Sequence, residues 1–599
     1  MIPFSRVVAA LLIPAIAGCA TLPRQAVAPV EVGIVALNDF HGALEPPKQA
    51  VSIVLPSRSQ SPHQPEAWFL DSNAEVIAVP AGGAAWLASA VASVRAKYPN
   101  HLTVAAGDLI SASPLASSLY LDEPAVGVMN RIGLDFSAVG NHEFDRGRDE
   151  ILRMQNGGCA KFTSREPCAL EPFGGAKYRY LAASTLTESG QPLFAATALR
   201  SFGTGRRKVT VGLIGLTLKG TAQIVVPDGI KGLTFADEVA TINAAVPNLK
   251  AQGADAVVVL IHQGGGQEPD TDPNGCAGFG GDIRGILDQL DPRVDLVVSG
   301  HTHKAYVCDY ATLNPAKPFL LTSAGNNGKL VTDIVLRIDP ATHRVTAKSA
   351  HNLIVQSQPY KGAKGDVVNT AAYPQFAPDP SVAAYVERYV AATRDFANRP
   401  IGAIAGPASG RILGQLIADA QLAATRGAGA QIALMNPGGV RAALVPRDGG
   451  ALTFGDIYAT QPFGNTLVTQ TLTGAELRLA IEQSLASQAD PRNAIPSQGL
   501  GYSYDSRRPP GSRVLTLMFA GKPVDPAASY RVTTSNFLAS GGDGYLALKG
   551  LRDAVPGGVD LDALEAWLKL APGSTVARAV PADPRALDLL SVTSTSAQD

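Results

Sequence analysis

The sequence predicts an α/β fold for the first half of the chain, because patterns typical of buried strands alternate with helical ones from Glu31 to about Asp339. Five short apolar runs each end in a polar, glycine-containing turn, which suits buried strands better than helices. These runs are Val32–Leu37, Leu102–Ala106, Phe136–Val139, Ala256–Ile261 and Leu296–Ser299. Helix-like stretches, including Ala84–Lys97 and Phe235–Ala251, lie between them. In open α/β sheets, ligands bind beyond the carboxyl ends of the strands, where these turns lie.

Length and composition limit the class of protein. The chain has 599 residues, 46% of them hydrophobic, which is enough for a sizeable core and for at least two domains. Its 50 Lys and Arg residues nearly balance 51 Asp and Glu residues, for a net charge of -1. That balance gives no basic surface for nonspecific binding of a nucleic-acid polymer.

The chain divides into two predicted domains joined by a linker. Residues 359–380 are rich in Gly, Pro and Ala, and a helix is predicted next, over Ser381–Asn398. We therefore expect a first domain over residues 31–358, a linker and hinge helix over 359–399, and a second domain over 400–575. Residues 576–599 are predicted to be a frayed tail.

The N-terminus has the pattern of an export signal. Arg6 precedes an apolar run that is too short to span a membrane. The segment Ile16–Cys19 resembles the lipobox of bacterial lipoproteins, which implies a signal peptide over 1–18, a lipid on Cys19 and a tether over 19–30. Ala20, where an Asp would imply retention in the inner membrane, implies anchoring in the outer membrane. The expected localisation is therefore that of an exported periplasmic or cell-surface lipoprotein. The alternative is an ordinary signal peptide in which a cysteine happens to follow Gly18.

Four further cysteines suggest two disulfides, since an exported protein meets an oxidising compartment. They are Cys159, Cys168, Cys276 and Cys308, and three pairings are possible. A Cys159–Cys168 bond would close a short loop, and a Cys276–Cys308 bond would join segments that flank a histidine motif. Their spacing does not fit a zinc-binding CxxC pair.

Five of the nine histidines lie in the turns that follow the predicted strands, together with two aspartates. The residues are Asp39, His41, Asp108, His142, His262, His301 and His303. In the Asp-x-His and His-x-His pairs, alternate side chains of an extended segment share one side and can bind the same ion. Mixed imidazole and carboxylate ligands favour a transition metal such as Zn²⁺ or Mn²⁺.

The blocks NDFHG, GDLI, GNHEFD, HQGG and GHTH, in this order, resemble the calcineurin-like metallophosphoesterases. With the second domain, the mature chain resembles the bacterial periplasmic 5′-nucleotidase and UDP-sugar hydrolase family. The resemblance implies a four-layer αββα sandwich with two divalent metal ions, joined by a linker helix to a smaller α+β C-terminal domain. It also implies a hinge through which the second domain brings substrate to the metals.

The resemblance implies a role for each residue of the metal centre. One metal would be bound by Asp39, His41, Asp108 and His303, and the other by Asp108, Asn141, His262 and His301. A hydroxide bridging the metals would attack phosphorus. His142 would stabilise the transition state or protonate the leaving oxygen, oriented by Asp145. The alternative for Asp145 is a helix cap or a surface turn residue.

The second domain supplies the implied substrate-binding residues. Phe463 and Phe537 match the family's pair of stacking rings, although each could instead be a core aromatic. Arg441 and Asn436 would bind phosphate, Asp543 the ribose hydroxyls and Asn465 the base. The block from Ser409 to Asp419 departs from the family pattern, and Arg411 is the nearest candidate for a second phosphate-binding arginine.

The leading hypothesis is therefore a metal-dependent hydrolase that removes the 5′-phosphate of nucleotides, with nucleotide sugars, dinucleotides or cyclic nucleotides as further substrates. A thiosulfohydrolase-like enzyme on the same scaffold is the second hypothesis. A non-catalytic surface lipoprotein that binds nucleotides is the third.

Overall fold

The computed structural model describes residues 28–54, 76–163, 165–225, 227–362, 365–486, 493–569, 577–582 and 584–588. The predicted signal peptide, Cys19, most of the tether and the end of the predicted tail lie outside these residues. Within the described ranges, no helix is both long and apolar enough to cross a membrane.

The N-terminal lobe, residues 28–379, contains two six-stranded sheets. In spatial order, the first sheet consists of Arg344–Ile354, Leu330–Asp339, Val30–Leu37, His101–Ala105, Phe136–Ala138 and Arg179–Leu181. The second consists of Ala305–Asp309, Leu320–Ala324, Leu296–Ser299, Ala256–Ile261, Val209–Leu216 and Thr197–Phe202. Short hairpins pair Val51–Val54 with Val76–Val79 and Thr185–Thr187 with Leu233–Phe235.

The two sheets pack face to face, and helices cover their outer faces. Val32, Ile34 and Val104 of the first sheet pack against Val211 and Val258 of the second. The lobe's helices are Ala84–Arg95, Leu115–Ser118, Glu123–Ile132, Arg148–Asn156, Thr221–Ile224, Glu238–Ala251 and Ile283–Leu287. The predicted four-layer αββα sandwich is confirmed.

All five predicted strands form, with ends within two residues of those expected. The central strands of each sheet are parallel, so that Leu37 is level with Ala105 in one sheet and Ile261 with Ser299 in the other. Parallel strands release their following turns at one edge of a sheet. The turns that carry the predicted metal ligands therefore converge at one end of the sandwich.

Three predicted segments differ from the structure. Within the tail predicted to be frayed, Ala586–Asp588 form a strand that pairs with Leu500–Tyr504, and Arg585 Nη1 donates to the Asp419 carboxylate at 2.7 Å. Phe235 ends a strand, and the helix after it begins only at Glu238, where the Asp237 carboxylate accepts the Ala240 N–H at 3.1 Å. The predicted linker is folded onto the N-terminal lobe. Gln356 Nε2 donates to the Tyr373 carbonyl at 2.8 Å, and a hairpin pairs Tyr360–Gly362 with Gly365–Val367.

The helix Pro380–Ala397 connects the lobes, close to the predicted Ser381–Asn398. Its buried residues Val382, Tyr385 and Tyr389 pack in the core of the N-terminal lobe. At its other end, Phe396 contacts Phe454 of the C-terminal lobe at a ring separation of 4.7 Å.

The C-terminal lobe, residues 400–588, is α+β as expected. Its five-stranded sheet orders Ile495–Pro496, Ile432–Met435, Ser529–Ser535, Thr466–Thr473 and Val555–Val559. Its four-stranded sheet orders Lys522–Pro523, Val514–Phe519, Leu500–Tyr504 and Ala586–Asp588, and a two-stranded sheet pairs Pro400–Ala403 with Ala451–Thr453. The helices are Gly410–Ala424, Phe454–Thr460, Gly474–Ser484, Asn536–Ala539 and Asp560–Leu568.

The four described cysteines form the disulfides Cys159–Cys168 and Cys276–Cys308. The prediction of two disulfides is confirmed, and of the three pairings left open the structure contains this one. The first bond closes a surface loop of the N-terminal lobe. The second joins the segment after the His262 turn to the strand after the His303 turn.

Candidate active site

The turns with the predicted metal ligands have an unusual backbone. Five of the residues have φ between 47° and 72°, namely Asp39, His41, Asp108, His301 and His303. Left-handed backbone is uncommon for residues other than glycine and costs about 1–3 kcal/mol each. Backbone hydrogen bonds between the turns hold these conformations, including Asp39 N–H to Gly107 O and His41 N–H to Asp108 O, both 3.0 Å.

The ligand side chains gather into two groups, in each of which the ligand atoms lie within 4.8 Å of one another. One group is Asp39, His41 and His303; the other is Asp108, His262 and His301. In the first, the Nε2 atoms of His41 and His303 are 3.1 Å apart. In the second, Asp108 Oδ2 lies 3.1 Å from His262 Nε2.

Asn141 and Asp108 extend and connect these groups. Asn141 Oδ1 lies 3.0 Å from both His262 Nε2 and His301 Nδ1, within the second group. Asp108 Oδ2 lies 3.7 Å from His41 Nε2, in the first group. Asp108 thus faces both groups, as a bridging ligand must.

The donor set fits divalent transition-metal ions. His41 Nδ1 lies 3.0 Å from the Ser111 carbonyl, and His262 Nδ1 lies 2.8 Å from the Ala106 carbonyl. A carbonyl partner makes Nδ1 the donor, so that Nε2 presents a lone pair to the centre, the arrangement that orients metal-binding histidines. Imidazole nitrogens with carboxylate and amide oxygens suit ions such as Zn²⁺ or Mn²⁺.

Burial and mutual charge perturb the ionisation of these side chains. Burial raises the pKa of Asp39 to about 7 and lowers that of His41 to about 3. Burial acts to raise the pKa of Asp108 as well, but His262 and His142 hold it well below its usual value. Acidic and basic groups packed this tightly need a cation or shared protons to balance their charge.

Two neighbouring residues that orient the ligands were not singled out from the sequence. The buried Glu143 carboxylate accepts the backbone N–H groups of Asp108, Leu109 and Gly140 at 2.9, 2.8 and 2.6 Å. Asn38 Nδ2 donates to Asp39 Oδ2 at 2.6 Å. Each lies inside a recognised block, Asn38 next to the predicted ligand Asp39 and Glu143 next to His142. A polar side chain without an assigned role, next to a predicted site residue, was the signal that could have identified them.

His142 and Asp145 form a pair beside the ligand groups. His142 Nδ1 lies 2.8 Å from Asp145 Oδ2, which fixes the imidazole ring and leaves Nε2 for other partners. Burial acts to lower the pKa of His142, but Asp145 and Asp108 raise it above its usual value. The geometry favours the orienting role for Asp145 over that of a helix cap.

A cavity of about 1230 Å³ lies between the lobes and joins the ligand groups to the second domain. The predicted residues that line it are Asn141, His142, Asp145, His301, His303, Asn436, Arg441, Phe463, Asn465, Phe537 and Asp543. Arg441 Nη2 lies 3.4 Å from His41 Nε2, and the Phe463 ring stacks on His142 at 5.7 Å. Side chains of the C-terminal lobe thus reach the candidate metal centre.

The remaining predicted contacts of the second domain lie along the same cavity. Asn436 Nδ2 donates to Asp543 Oδ2 at 2.6 Å, and Asp543 has a left-handed backbone with φ 55°. Asn465 Nδ2 donates to Asp560 Oδ2 at 3.2 Å, which fixes the orientation of its amide.

Arg411 is the exception, and its predicted role needs correction. It is not among the residues that line the cavity, and its guanidinium lies beside Tyr502 and Tyr504. Burial raises the pKa of both hydroxyls, and the charge of Arg411 opposes that rise. Arg411 lies in the first turn of the helix Gly410–Ala424, and its position near the expected block in sequence does not bring it to the cavity. Arg441 is the arginine that the structure brings to the centre.

Two protein families match the chain in sequence. Residues 33–305 match the calcineurin-like phosphoesterases, and residues 390–550 match the C-terminal domain of 5′-nucleotidases. The chain therefore combines a calcineurin-like phosphoesterase domain with the C-terminal domain of 5′-nucleotidases. Calcineurin-like phosphoesterases use divalent metal ions, and the two ligand groups are candidate sites for such ions.

Individual relatives match this chain over most of its length. It is 26% identical to a probable 5′-nucleotidase of Treponema pallidum, over 89% of this chain and 90% of that protein. It is 29% identical to the endonuclease YhcR of Bacillus subtilis, over 90% of this chain but only 40% of that longer protein. The crystal structure of a 5′-nucleotidase precursor from Thermus thermophilus superposes with a TM-score of 0.69, at 26% identity, over 93% of this chain and 99% of that one.

Proposed function

We propose that the chain removes the 5′-phosphate of nucleotides by metal-dependent hydrolysis. The observation that carries this proposal is the single cavity that the ligand groups of the N-terminal lobe share with Arg441, Phe463, Phe537 and Asp543 of the C-terminal lobe. A nucleotide needs a cation for its phosphate, aromatic rings for its flat base and a hydrogen-bond acceptor for its ribose hydroxyls. Arg441, the two phenylalanines and Asp543 offer these within one cavity.

The residues divide the chemistry between them. Two divalent cations, when bound by Asp39, His41, Asp108, Asn141, His262, His301 and His303, supply Lewis-acid activation of water and charge neutralisation of the phosphoryl group. Arg441 binds phosphoryl oxygens through its planar fork. His142, oriented by Asp145, provides a proton to the leaving ester oxygen.

The C-terminal lobe holds the nucleoside. Phe463 and Phe537 stack on the two faces of the base, where each ring contributes about 1–3 kcal/mol. Asp543 accepts hydrogen bonds from the ribose hydroxyls, and Asn436 holds that carboxylate by donating to its Oδ2. Asn465, whose amide Asp560 orients, contacts the base.

The cavity also supports larger substrates. Its volume of about 1230 Å³ exceeds the usual size of a pocket for a small molecule, about 300–1,000 Å³. Such a space has room for a nucleotide sugar or a dinucleotide as well as for a mononucleotide. We therefore extend the proposal to hydrolysis of these esters at the same centre.

A substrate panel tests the proposal. AMP, UMP, UDP-glucose, NAD and 2′,3′-cyclic AMP should be assayed with Mn²⁺ or Zn²⁺, with the His142→Ala variant as control. Single-stranded DNA belongs in the panel because one relative is named an endonuclease. We expect the wild type to release phosphate from AMP or UMP, and we expect the His142→Ala substitution to abolish this release. Release from none of the nucleotides would refute the proposal.

The two other hypotheses give different results in matched assays. A thiosulfohydrolase-like enzyme would not need the stacking rings. Nucleotide turnover that is unchanged by the combined Phe463→Ala and Phe537→Ala substitutions would therefore favour this second hypothesis. A non-catalytic binding protein would contain no stoichiometric metal by elemental analysis of protein purified without chelator.

We also propose that the chain is exported and lipidated on Cys19, probed separately from catalysis. The two disulfides support an oxidising compartment. Mass spectrometry of the detergent-extracted protein should find a mature N-terminus at Cys19 with an attached diacylglycerol. A Cys19→Ser variant should lose the lipid, and an unmodified mature chain from the wild type would contradict the proposal.

A further inference from the structure

The Tyr458 hydroxyl joins the two lobes at a point outside the cavity. Tyr458 lies in the helix Phe454–Thr460 of the C-terminal lobe and is 5% exposed. Ser118 Oγ of the N-terminal lobe donates to this hydroxyl at 2.6 Å, and Arg165 Nη2 donates to it at 3.2 Å. The hydroxyl itself donates to the Pro462 carbonyl at 3.2 Å. Its one proton and both lone pairs are therefore used.

The N-terminal lobe holds its side of this contact firmly. Arg165 lies in the loop closed by Cys159–Cys168, and its Nη1 also donates to the Ser118 carbonyl. At the end of the loop, the Cys168 N–H donates to the Glu123 carboxylate at 2.9 Å. A ring closed by a disulfide and tied to a buried carboxylate is a stiff support for a guanidinium.

The contact lies one residue from a ring that lines the cavity. Pro462 precedes Phe463, whose ring stacks on His142 at 5.7 Å with an angle of 19° between the planes. Pro462 has no N–H of its own, so its carbonyl is its only backbone group for a hydrogen bond. Among the described residues, the Tyr458 hydroxyl is the only side-chain donor to that carbonyl.

We propose that Ser118, Arg165 and Tyr458, which we name the interlobe clasp, position Phe463 against the nucleoside of a bound nucleotide. The inference rests on the proposed function for the identity of that ligand. Through the Tyr458 hydroxyl, the clasp connects the Pro462 carbonyl to Ser118 and Arg165 of the N-terminal lobe. The position of the Phe463 ring is therefore fixed relative to His142 of that lobe, and not only relative to the C-terminal lobe. The Cys159–Cys168 bond acts through Arg165 and is part of the same device.

The physical reason for a tyrosine at this position is the three-way hydrogen bond. Phenylalanine would keep the ring packing against Ile457 and its neighbours in the core of the C-terminal lobe. It would leave Ser118, Arg165 and the Pro462 carbonyl without this shared partner. The effect of Tyr458→Phe should therefore appear in the position of the Phe463 turn and not in the fold.

Three variants test the proposal against a matched control. They are Tyr458→Phe, Arg165→Leu and the double variant Cys159→Ser/Cys168→Ser. The control is Tyr504→Phe, which removes a hydroxyl of the same lobe that accepts from Asn493 Nδ2 at 2.6 Å, away from the lobe interface. Steady-state kinetics with Mn²⁺ should compare AMP with p-nitrophenyl phosphate, which has no nucleoside to stack. Hydrogen–deuterium exchange should follow the segment 455–465.

For Tyr458→Phe we expect KM for AMP to rise about tenfold, the loss that follows when one or two net hydrogen bonds position a ring. The kcat/KM for p-nitrophenyl phosphate should stay within about twofold, since only the nucleoside contact is affected. Exchange in the segment 455–465 should accelerate in all three variants and not in Tyr504→Phe. Combining Tyr458→Phe with the cysteine variant should add little, because both act through one contact.

The outcomes separate this inference from the proposed function. An unchanged KM for AMP, or an equal loss on both substrates, overturns the positioning role. If the wild type hydrolyses no nucleotide, the proposed function fails while exchange still decides on the clasp. Unaltered exchange in the segment 455–465 of Tyr458→Phe overturns the clasp itself, whatever the activity.

Discussion

Replacing Asp145 by Asn removes the charge beside His142 while it preserves the shape of the side chain. The two side chains lie 2.8 Å apart and are 16% and 24% exposed. At an effective dielectric constant of about 20, full charges about 4 Å apart interact by about 4 kcal/mol, and partial exposure screens roughly half of this. The asparagine oxygen still accepts from Nδ1, so the ring keeps its orientation. The expected loss is therefore about 2 kcal/mol, or about 30-fold in rate.

The assay must separate proton donation from folding and binding. An alcohol such as a nucleoside leaves poorly without a proton, whereas p-nitrophenolate leaves well without one. We expect kcat for AMP to fall about 10- to 100-fold in Asp145→Asn, and kcat for p-nitrophenyl phosphate to fall less than about threefold. Asp149→Asn, an exposed position four residues along, is the matched control. Equal losses on both substrates would refute a role in protonating the leaving group.

Three further predictions follow from the described contacts. Glu143→Gln places an NH₂ group against backbone donors that now meet a carboxylate, so metal affinity measured by competition with a chelator should fall about 10- to 100-fold. Phe463→Ala and Phe537→Ala should each weaken nucleotide binding by about 1–3 kcal/mol in calorimetry, with little effect on inorganic phosphate. Burial raises the pKa of Asp560 to about 7, above its unfolded value, so that the protonated form is favoured in the folded state and stability falls as pH rises from about 4 to 7. Asp560→Asn should remove this fall in thermal unfolding between pH 5 and 8; an equal pH dependence in the wild type and the variant would contradict the assignment.

The sequence predicted the elements that lie at the centre of the fold. The runs Ala256–Ile261 and Leu296–Ser299 are buried on both faces, and an uninterrupted apolar run leaves no other placement for them. Because parallel strands end at one edge, the positions of Asp39, Asp108 and His262 after such runs predicted that they meet. The apolar pattern of the strands and the topology of the sheets agree there, and that agreement made the candidate metal centre predictable.

The rest of the site depended on contacts that sequence spacing does not encode. Glu143 binds the backbone N–H of Asp108, which lies more than thirty residues earlier in the chain. That N–H group comes within reach of Glu143 only when the strands have paired. Arg411 showed the converse error, since a suitable residue near the expected block points to Tyr502 instead of the cleft. The Tyr458 contact joins residues 340 positions apart.

The place of Arg441 couples the arrangement of the lobes to the charge of the ligand. Its Nη2 lies 3.4 Å from His41 Nε2, the nitrogen whose lone pair would bind a cation. Burial lowers the pKa of Arg441, and the carboxylates of Asp108 and Asp39 counter that effect and keep the guanidinium charged. A cation on His41 would neutralise those carboxylates and repel the guanidinium. An anion whose oxygens contact both the cation and the Arg441 guanidinium would remove this repulsion. A phosphoryl group is such an anion. The approach of the C-terminal lobe to a metal-loaded centre therefore favours a phosphate ester over a neutral molecule of the same shape.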